Sequence, residues 1–357
     1  MSIPKFVNVN NNFHQELKRR VNQYFETNKK QTTGNFALFF KACLFFACYL
    51  GLYVHLVYFT PATWLAIIEC VLLGCFTAAI GFNVMHDGGH GSFSKSKTVN
   101  EIAAFSVNFL GASQIMWRMK HNIIHHTYTN IDGVDDDIEI KPFLRMCSTQ
   151  KHFWIHRFQH YYFWFLYTLL HIIWVFQTDY QKYFSKRIGS VPIKKMSMKE
   201  HVGFWAAKVA YAMLFMVIPI IKVGFLPWLI GFLIASMVTG FIISIVFQLA
   251  HTVEHVEFPT PSADTNKIEN EWAMHQVQTT ANFATKNKLI CWLVGGLNFQ
   301  IEHHLFPKIS HVHYPAISKI IKETCNDFNV KYMEFRKMRH AVLSHVTYLR
   351  KMGRATA

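Results

Sequence analysis

The sequence predicts an all-α integral membrane protein, with four transmembrane helices paired as two hairpins and a cytoplasmic helical cap that carries grouped histidines. Three observations predict it. The chain is 51% hydrophobic and 16% aromatic but only 16% charged, which is poor in charge even for a protein with a large core. Apolar segments at residues 36–59, 62–85, 203–223 and 226–249 each approach the roughly 20 residues that span a bilayer. Nine of the 21 histidines fall into four tight groups: His86 and His90 in HDGGH, His121, His125 and His126 in HNIIHH, His251 and His255 in HTVEH, and His303 and His304 in QIEHH.

Residues 1–35 are polar and lack both an apolar core and a small-residue cleavage site. They read as a cytoplasmic N-terminal segment rather than a signal peptide. The rest, 36–357, reads as one membrane catalytic domain. Its first two apolar segments meet at Thr60 and Pro61 and its last two meet between Lys222 and Phe225. Such turns are too short to hold a domain, so each pair crosses and returns, leaving both termini and the central segment on one side. Of 36 Lys and Arg residues, only Lys41, Lys208 and Lys222 lie within the pairs. The shared side is therefore cytoplasmic by the positive-inside rule, and the cap comprises 86–202 and 250–357. Runs 102–116 and 161–176 are short and interrupted by polar residues, and read as interfacial.

The formal charge of +15 is spread through aromatic, amphipathic sequence. It suits anionic lipid headgroups and excludes a recognisable nucleic-acid-binding module. The seven cysteines show no CxxC pair, and Cys43, Cys48, Cys70 and Cys75 in the first hairpin read as reduced packing residues.

Histidines four apart lie on one helix face, one turn apart, where two imidazoles can reach the same metal. Spacing alone is weak evidence, since His152, His156 and His160 form the same ladder among aromatics and basic residues suited to a headgroup-level helix. The four groups differ in lying at or beyond the ends of apolar segments, where they can converge. Buried neutral histidines without partners would each cost roughly 1–3 kcal/mol. Neighbours on a helix point about 100° apart, so His125 and His126, or His303 and His304, suit two adjacent ions. Imidazole by itself does not select between zinc, copper, iron and nickel. A membrane metal transporter would need ligands near the bilayer midplane, whereas these lie at helix ends.

HDGGH, HNIIHH and QIEHH at these intervals, with HHTYTNIDGVDDDI, WAMHQVQTTANF and GGLNFQIEHHLFP, resemble the membrane fatty acid desaturase family over nearly the whole chain from Phe36. Gln300, opening the third box, resembles the front-end subgroup, which inserts a double bond between an existing one and the carboxyl end. The resemblance implies two Fe ions, O2 as co-substrate, and a cis double bond placed in an acyl-CoA or acyl-lipid chain. A lipid hydroxylase of the same di-iron fold is the competing reaction.

The resemblance also implies site residues. The nine grouped histidines are the expected ligands, with Gln300 as a further ligand or neighbour. Asp87, Asp135, Asp137, Glu254 and Glu302 are candidates to accept the free N–H of ligand histidines. Trp117, Asn122 and Thr127, with Asn130, are expected along a substrate channel. Gly88 and Gly89 are expected to let the first box pack closely against another helix. His311 and His313 are expected at the interface, and His275 is open to a supporting role. Many relatives carry a fused cytochrome b5 domain with a His-Pro-Gly-Gly haem motif, which this sequence lacks. No bound haem is expected, and electrons would come from a separate carrier, a ferredoxin or a cytochrome b5. The expected location is a bacterial inner membrane, or the endoplasmic reticulum if the source is eukaryotic.

Overall fold

The computed structural model describes residues 3–7 and 12–355 and is mostly helical. Four helices are long and apolar enough to cross a membrane: Phe36–Phe59, Thr63–His90, Met198–Val223 and Phe225–His251. Local chemistry sets their ends. The Asn35 side chain accepts the Leu38 N–H at 3.1 Å and caps the first helix. Thr60, at φ 44°, closes it. Ser197 and Glu200 form a reciprocal capping box at the start of the third. Gly224, at φ 88°, separates the third from the fourth in a conformation that a side chain would resist. Phe40, Leu50, Ile67 and Ile230 are exposed on the outer faces, as lipid contact requires.

The second and fourth helices pack at very close range. A Cβ on Gly74 would lie 2.5 Å from the Ala235 carbonyl oxygen, and Thr239 Oγ1 donates to the Gly74 carbonyl at 3.1 Å. Small residues that let backbones approach are the usual means of association between helices in lipid.

Two helices extend beyond the expected spans. The second continues past residue 85 through a π-helical turn, Gly81–Met85, so that His86–His90 forms its last turn before Gly91 at φ 73°. The fourth continues to His251. Box histidines thus sit on the same rigid rods as the apolar segments. The run expected at 102–116 overlaps helix Lys97–Phe109, which packs on the first box: a Cβ on Gly88 would meet Ala103 Cβ at 2.6 Å. The run at 161–176 is broken into Gln159–Thr168, Leu170–Ile173 and a π turn, Trp174–Thr178. It lies against the fourth helix, where Ser244 Oγ donates to the Tyr167 carbonyl at 3.2 Å.

The remaining chain forms shorter helices, including Trp272–Gln278, Gln300–Leu305, Tyr314–Asp327 and Met338–Arg354, with three two-stranded ladders. Helix Phe13–Thr27 buries Phe13, Leu17, Val21 and Phe25 in one core with Ile317 and Ile321.

Replacing Gly74 with leucine is expected to destabilise the protein by about 1–3 kcal/mol, the usual penalty of overpacking. A thermal unfolding midpoint in detergent equal to that of the original protein would show that the two helices do not depend on this contact.

Candidate metal centre

The site is assembled from the ends of the second and fourth helices and from two shorter helices. The helix bearing the second box begins at Gln114–Arg118 and passes through a π-helical turn, Met119–His125, into His126–Tyr128. A π turn takes one residue more than an α turn and is common at functional sites. Here it lets His121, His125 and His126 all face one space. Gln300–Leu305 supplies Gln300, His303 and His304.

Eight imidazoles converge there, seven of them buried and His90 half-buried. Ligand atoms of His86, His90, His121 and His303 lie within 4.8 Å of one another, and so do those of His125, His251 and His304. A third such group, His126, His303 and His304, joins the two. The His303 and His304 rings stand at 85° to each other, so each turns toward a different main group.

The ring nitrogens fall into an outer and an inner set. On the outside, His125 Nδ1 meets the Asp135 carboxylate at 3.1 Å, and His304 Nδ1 meets Gln276 Oε1 at 2.8 Å and Thr129 Oγ1 at 3.3 Å. His303 Nδ1 faces the Tyr314 hydroxyl at 3.2 Å, and His251 Nδ1 faces the Thr279 carbonyl at 3.3 Å. Such contacts fix ring orientation and tautomer and leave Nε2 free to bind.

On the inside, Nε2 atoms face one another or nothing. His121 Nε2 is 3.1 Å from His86 Nε2 and 3.2 Å from His126 Nε2. Gln300 Nε2 is 2.9 Å from His251 Nε2 and 3.4 Å from His304 Nε2, and a half-turn of that amide would present its oxygen instead. His90 Nε2, His125 Nε2, His303 Nε2 and Gln300 Oε1 are buried without a protein partner. Inward lone pairs gathered without donors fit metal ions.

Electrostatics keep most of these rings neutral. Burial, reinforced by neighbouring imidazoles, holds His121, His126, His303 and His304 well below the usual histidine range. Burial would also lower His125, but the carboxylates of Asp135 and Asp137 reverse this and raise it. Asp137 in turn is held down at about 2, against the effect of burial, by the Lys120 ammonium and His125. Lys120 and Lys182 pin the acidic run, Lys120 at Asp137 and Lys182 at Asp136, 2.6 Å away.

Several expected residues stand elsewhere. The fourth helix ends at His251, so His255 is not one helical turn from it. At φ 72° His255 is exposed and contributes to none of the ligand groups found among the described residues. Glu254 is half-exposed, and its backbone N–H donates to Ser344 Oγ. Asp87 braces no ligand histidine: its carboxylate accepts from Ser310 Oγ at 2.7 Å and pairs with His311 Nδ1 at 2.9 Å. His311 is accordingly buried rather than interfacial, while half-buried His313 contacts the Thr33 carbonyl. Glu302 is bound by Asn282 and Tyr332, and burial pushes its carboxyl up to about 7.

Trp117 stacks on His121 with ring centroids 4.7 Å apart. It also occupies the space beside Gly89, where a Cβ would fall 2.2 Å from the indole. Asn122 donates to the Gly89 carbonyl at 2.8 Å, half-buried Thr127 to the Ile123 carbonyl, and Asn130 to the His251 carbonyl. His275 lies edge-on to Phe6 outside the ligand groups. In the control ladder, His152 and His156 contact the carbonyls of Gly353 and Pro142. The sequence reading missed Gln276, Thr129 and Tyr314. Nothing in their spacing distinguishes them, although Gln276 does lie in the WAMHQVQ stretch that carries the resemblance.

A separate apolar cavity of about 660 Å³ lies among the four long helices, lined by residues that include Tyr49, Leu73, Leu110, Tyr211 and Phe215. Trp117, Asn122 and Thr127 do not line it.

The histidine clusters at the ends of long apolar helices could hold metal, and comparison with known proteins identifies the family. Residues 62–336 match the family model described as Fatty acid desaturase, and the chain belongs to that family. It is 36% identical to the sn-1 linoleoyl-lipid 6-desaturase of Arthrospira platensis, over 96% of this chain and 92% of the relative. It is 34% identical to the enzyme of the same description from Synechocystis, over 96% of each chain. It is 35% identical to the acyl-lipid (8-3)-desaturase of Physcomitrium patens, over 96% of this chain and 72% of that protein.

The lowered histidines make a pH prediction for the metal-free protein. Below the unfolded histidine pKa of about 6.5, the unfolded chain binds protons that the folded site refuses, so stability falls as pH falls. The penalty grows by about 1.4 kcal/mol per pH unit for each such histidine until its own folded pKa is reached. The melting midpoint of metal-free protein is expected to drop between pH 7 and 5, and bound metal should oppose the drop. A flat profile would contradict the neutral, buried state of these rings.

Proposed function

We propose that the chain is an O2-dependent acyl-lipid desaturase of front-end type that holds a pair of iron ions and introduces a cis double bond into a membrane-lipid acyl chain. The observation that carries the metal assignment is the set of inward, partnerless Nε2 atoms in two linked groups. One ion takes His86, His90, His121 and His303. The other takes His125, His251 and His304 with Gln300 beside it, and His126 stands between the two. Support for acyl-lipid substrates and front-end chemistry comes from the 6- and (8-3)-desaturase descriptions of the relatives and from Gln300 at the head of the third box.

The iron pair supplies the oxidising power to remove two hydrogens from adjacent methylenes, with two electrons from a carrier and two protons, as O2 is reduced to water. The chain's own residues prepare this chemistry. Asp135, Gln276, Tyr314 and the Thr279 carbonyl hold the Nδ1 sides of their histidines, which fixes the direction of each Nε2. Trp117 walls the first group. The cavity among the long helices offers an apolar place for the methyl end of the acyl chain.

In the membrane the four helices pair as two hairpins, and the histidine-bearing cap lies on the cytoplasmic side with most of the basic residues. That side receives electrons from a separate ferredoxin or cytochrome b5, whose acidic surface the lysines and arginines attract. A bacterial inner membrane fits this arrangement.

Two measurements test the proposal. In purified protein, His125→Ala is expected to lose iron and abolish turnover, whereas His255→Ala should keep both; the reverse pattern would sink the ligand assignment. Lipids from an expressing host fed unsaturated precursors should contain products two mass units lighter than a precursor, with the new bond on the carboxyl side of an existing one. Products sixteen units heavier would mean hydroxylation instead.

A further inference from the structure

The first spanning helix carries one charged side chain, Lys41, in its second turn. A lysine near the end of such a helix ordinarily extends to the headgroup layer. Lys41 turns inward and is only 5% exposed. Its Nζ donates to the Trp292 carbonyl at 3.2 Å, meets His311 Nε2 at 3.2 Å and lies 5.6 Å from the centre of the Trp292 ring. An ammonium has three donors, so these two contacts leave one unused. Among the described residues no carboxylate stands within 4.0 Å of it; the nearest acidic influence is Asp87, which acts on it across space and is hydrogen-bonded to it through His311.

Lys41 lines a recess of about 630 Å³ together with Lys286, Lys288, Trp292 and His311. Three lysines line this space, and no aspartate or glutamate does. Lys286 and Lys288 are exposed and form no ion pair among the described residues. The acidic group that acts on Lys286 is Glu334, which is already engaged by Lys322 at 2.9 Å and by Thr285. The recess also includes Asn35, the cap of the first spanning helix, which places it where chain passes from water into lipid. Leu38, Phe299 and Val312 give it an apolar side.

We infer that this recess binds the phosphate of a membrane glycerophospholipid, with Lys41 beneath the phosphate, Lys286 and Lys288 at the rim, and the apolar side against the glycerol end of the chains. A partly desolvated ammonium with a spare donor attracts an anion far more strongly than one in water, and lysine is a common phosphate ligand. The site is separate from the metal cluster, and the acyl-lipid reading does not itself call for a phosphate.

The test is lipid binding by the full, metal-loaded chain in neutral detergent, without turnover, so failure of the desaturase reading would not alter its outcome. Dioleoyl phosphatidylglycerol is expected to bind at least ten-fold more tightly than dioleoylglycerol. Lys41→Met, and separately the surface pair Lys286→Gln with Lys288→Gln, should each remove most of that preference while leaving dioleoylglycerol binding unchanged. The surface pair guards against misfolding, and its melting midpoint should equal that of the original protein. Equal binding of the two lipids, or undiminished preference in the surface pair, would overturn the inference. Displacement of phosphatidylglycerol by an equal concentration of inorganic phosphate would make the ligand free phosphate and remove the lipid. Slower reduction by an acidic electron carrier, with lipid binding intact, would assign the lysines to protein docking instead.

Discussion

Eight imidazoles with their lone pairs aimed at one another make an arrangement that protein alone does not satisfy. Two unprotonated Nε2 atoms 3.1 Å apart, as at His86 and His121, repel unless a proton or a cation lies between them. Burial disfavours a second, charging proton on the His121 ring, so the pair is met either by a neutral Nε2–H tautomer or by a cation. The rest of the architecture serves this constraint. Long apolar helices end inside the cluster, a π turn widens the second box, and the Nδ1 atoms of His125, His251, His303 and His304 are held so that their Nε2 atoms are not free to turn away.

Buried charges then lock the supports in place. Asp87, one residue from His86, ties the second spanning helix to the segment after the third box through Ser310 and His311, and His311 continues to Lys41 on the first helix. Asp179 accepts from the Ser113 N–H at 2.6 Å and pairs with Lys208 at 2.8 Å, joining the third spanning helix to the start of the helix that bears the second box. Removing one member of such a buried pair strands its partner and typically costs about 3–5 kcal/mol. The five acidic side chains expected to serve the metal divide: Asp135 and Asp137 face His125 directly, and Asp137 forms a further possible ligand group with His121 and His125. Asp87 instead fixes helices against one another, and Asp135 is the carboxylate in closest contact with a candidate ligand ring.

The four long helices and eight of the nine grouped histidines were legible because both are written in local pattern. Apolar length is a property of a run, and four-residue spacing is a property of a helix. The same logic misplaced His255, since spacing by four has meaning only while the helix lasts and this one stops at His251. It also set the end of the second helix too early, because glycines and a histidine in HDGGH look like the close of an apolar run. In the folded chain that segment is buried against Ala103 and Trp117 and stays helical. Gln276, Thr129 and Tyr314 were illegible for another reason. Their importance comes from touching ligand histidines distant in sequence, and His304 lies 175 residues from Thr129.

By itself the sequence determined the class of protein, the number of long apolar helices and the imidazole character of the clustered donors, because hydropathy and donor type belong to residues wherever they are placed. Only the tertiary structure decided which histidines share a group, that Asp87 answers to His311 rather than to a ligand, and that Lys41 faces inward to a recess without carboxylates. Those outcomes depend on packing between helices far apart in the chain, where a few ångströms separate a ligand from a neighbour.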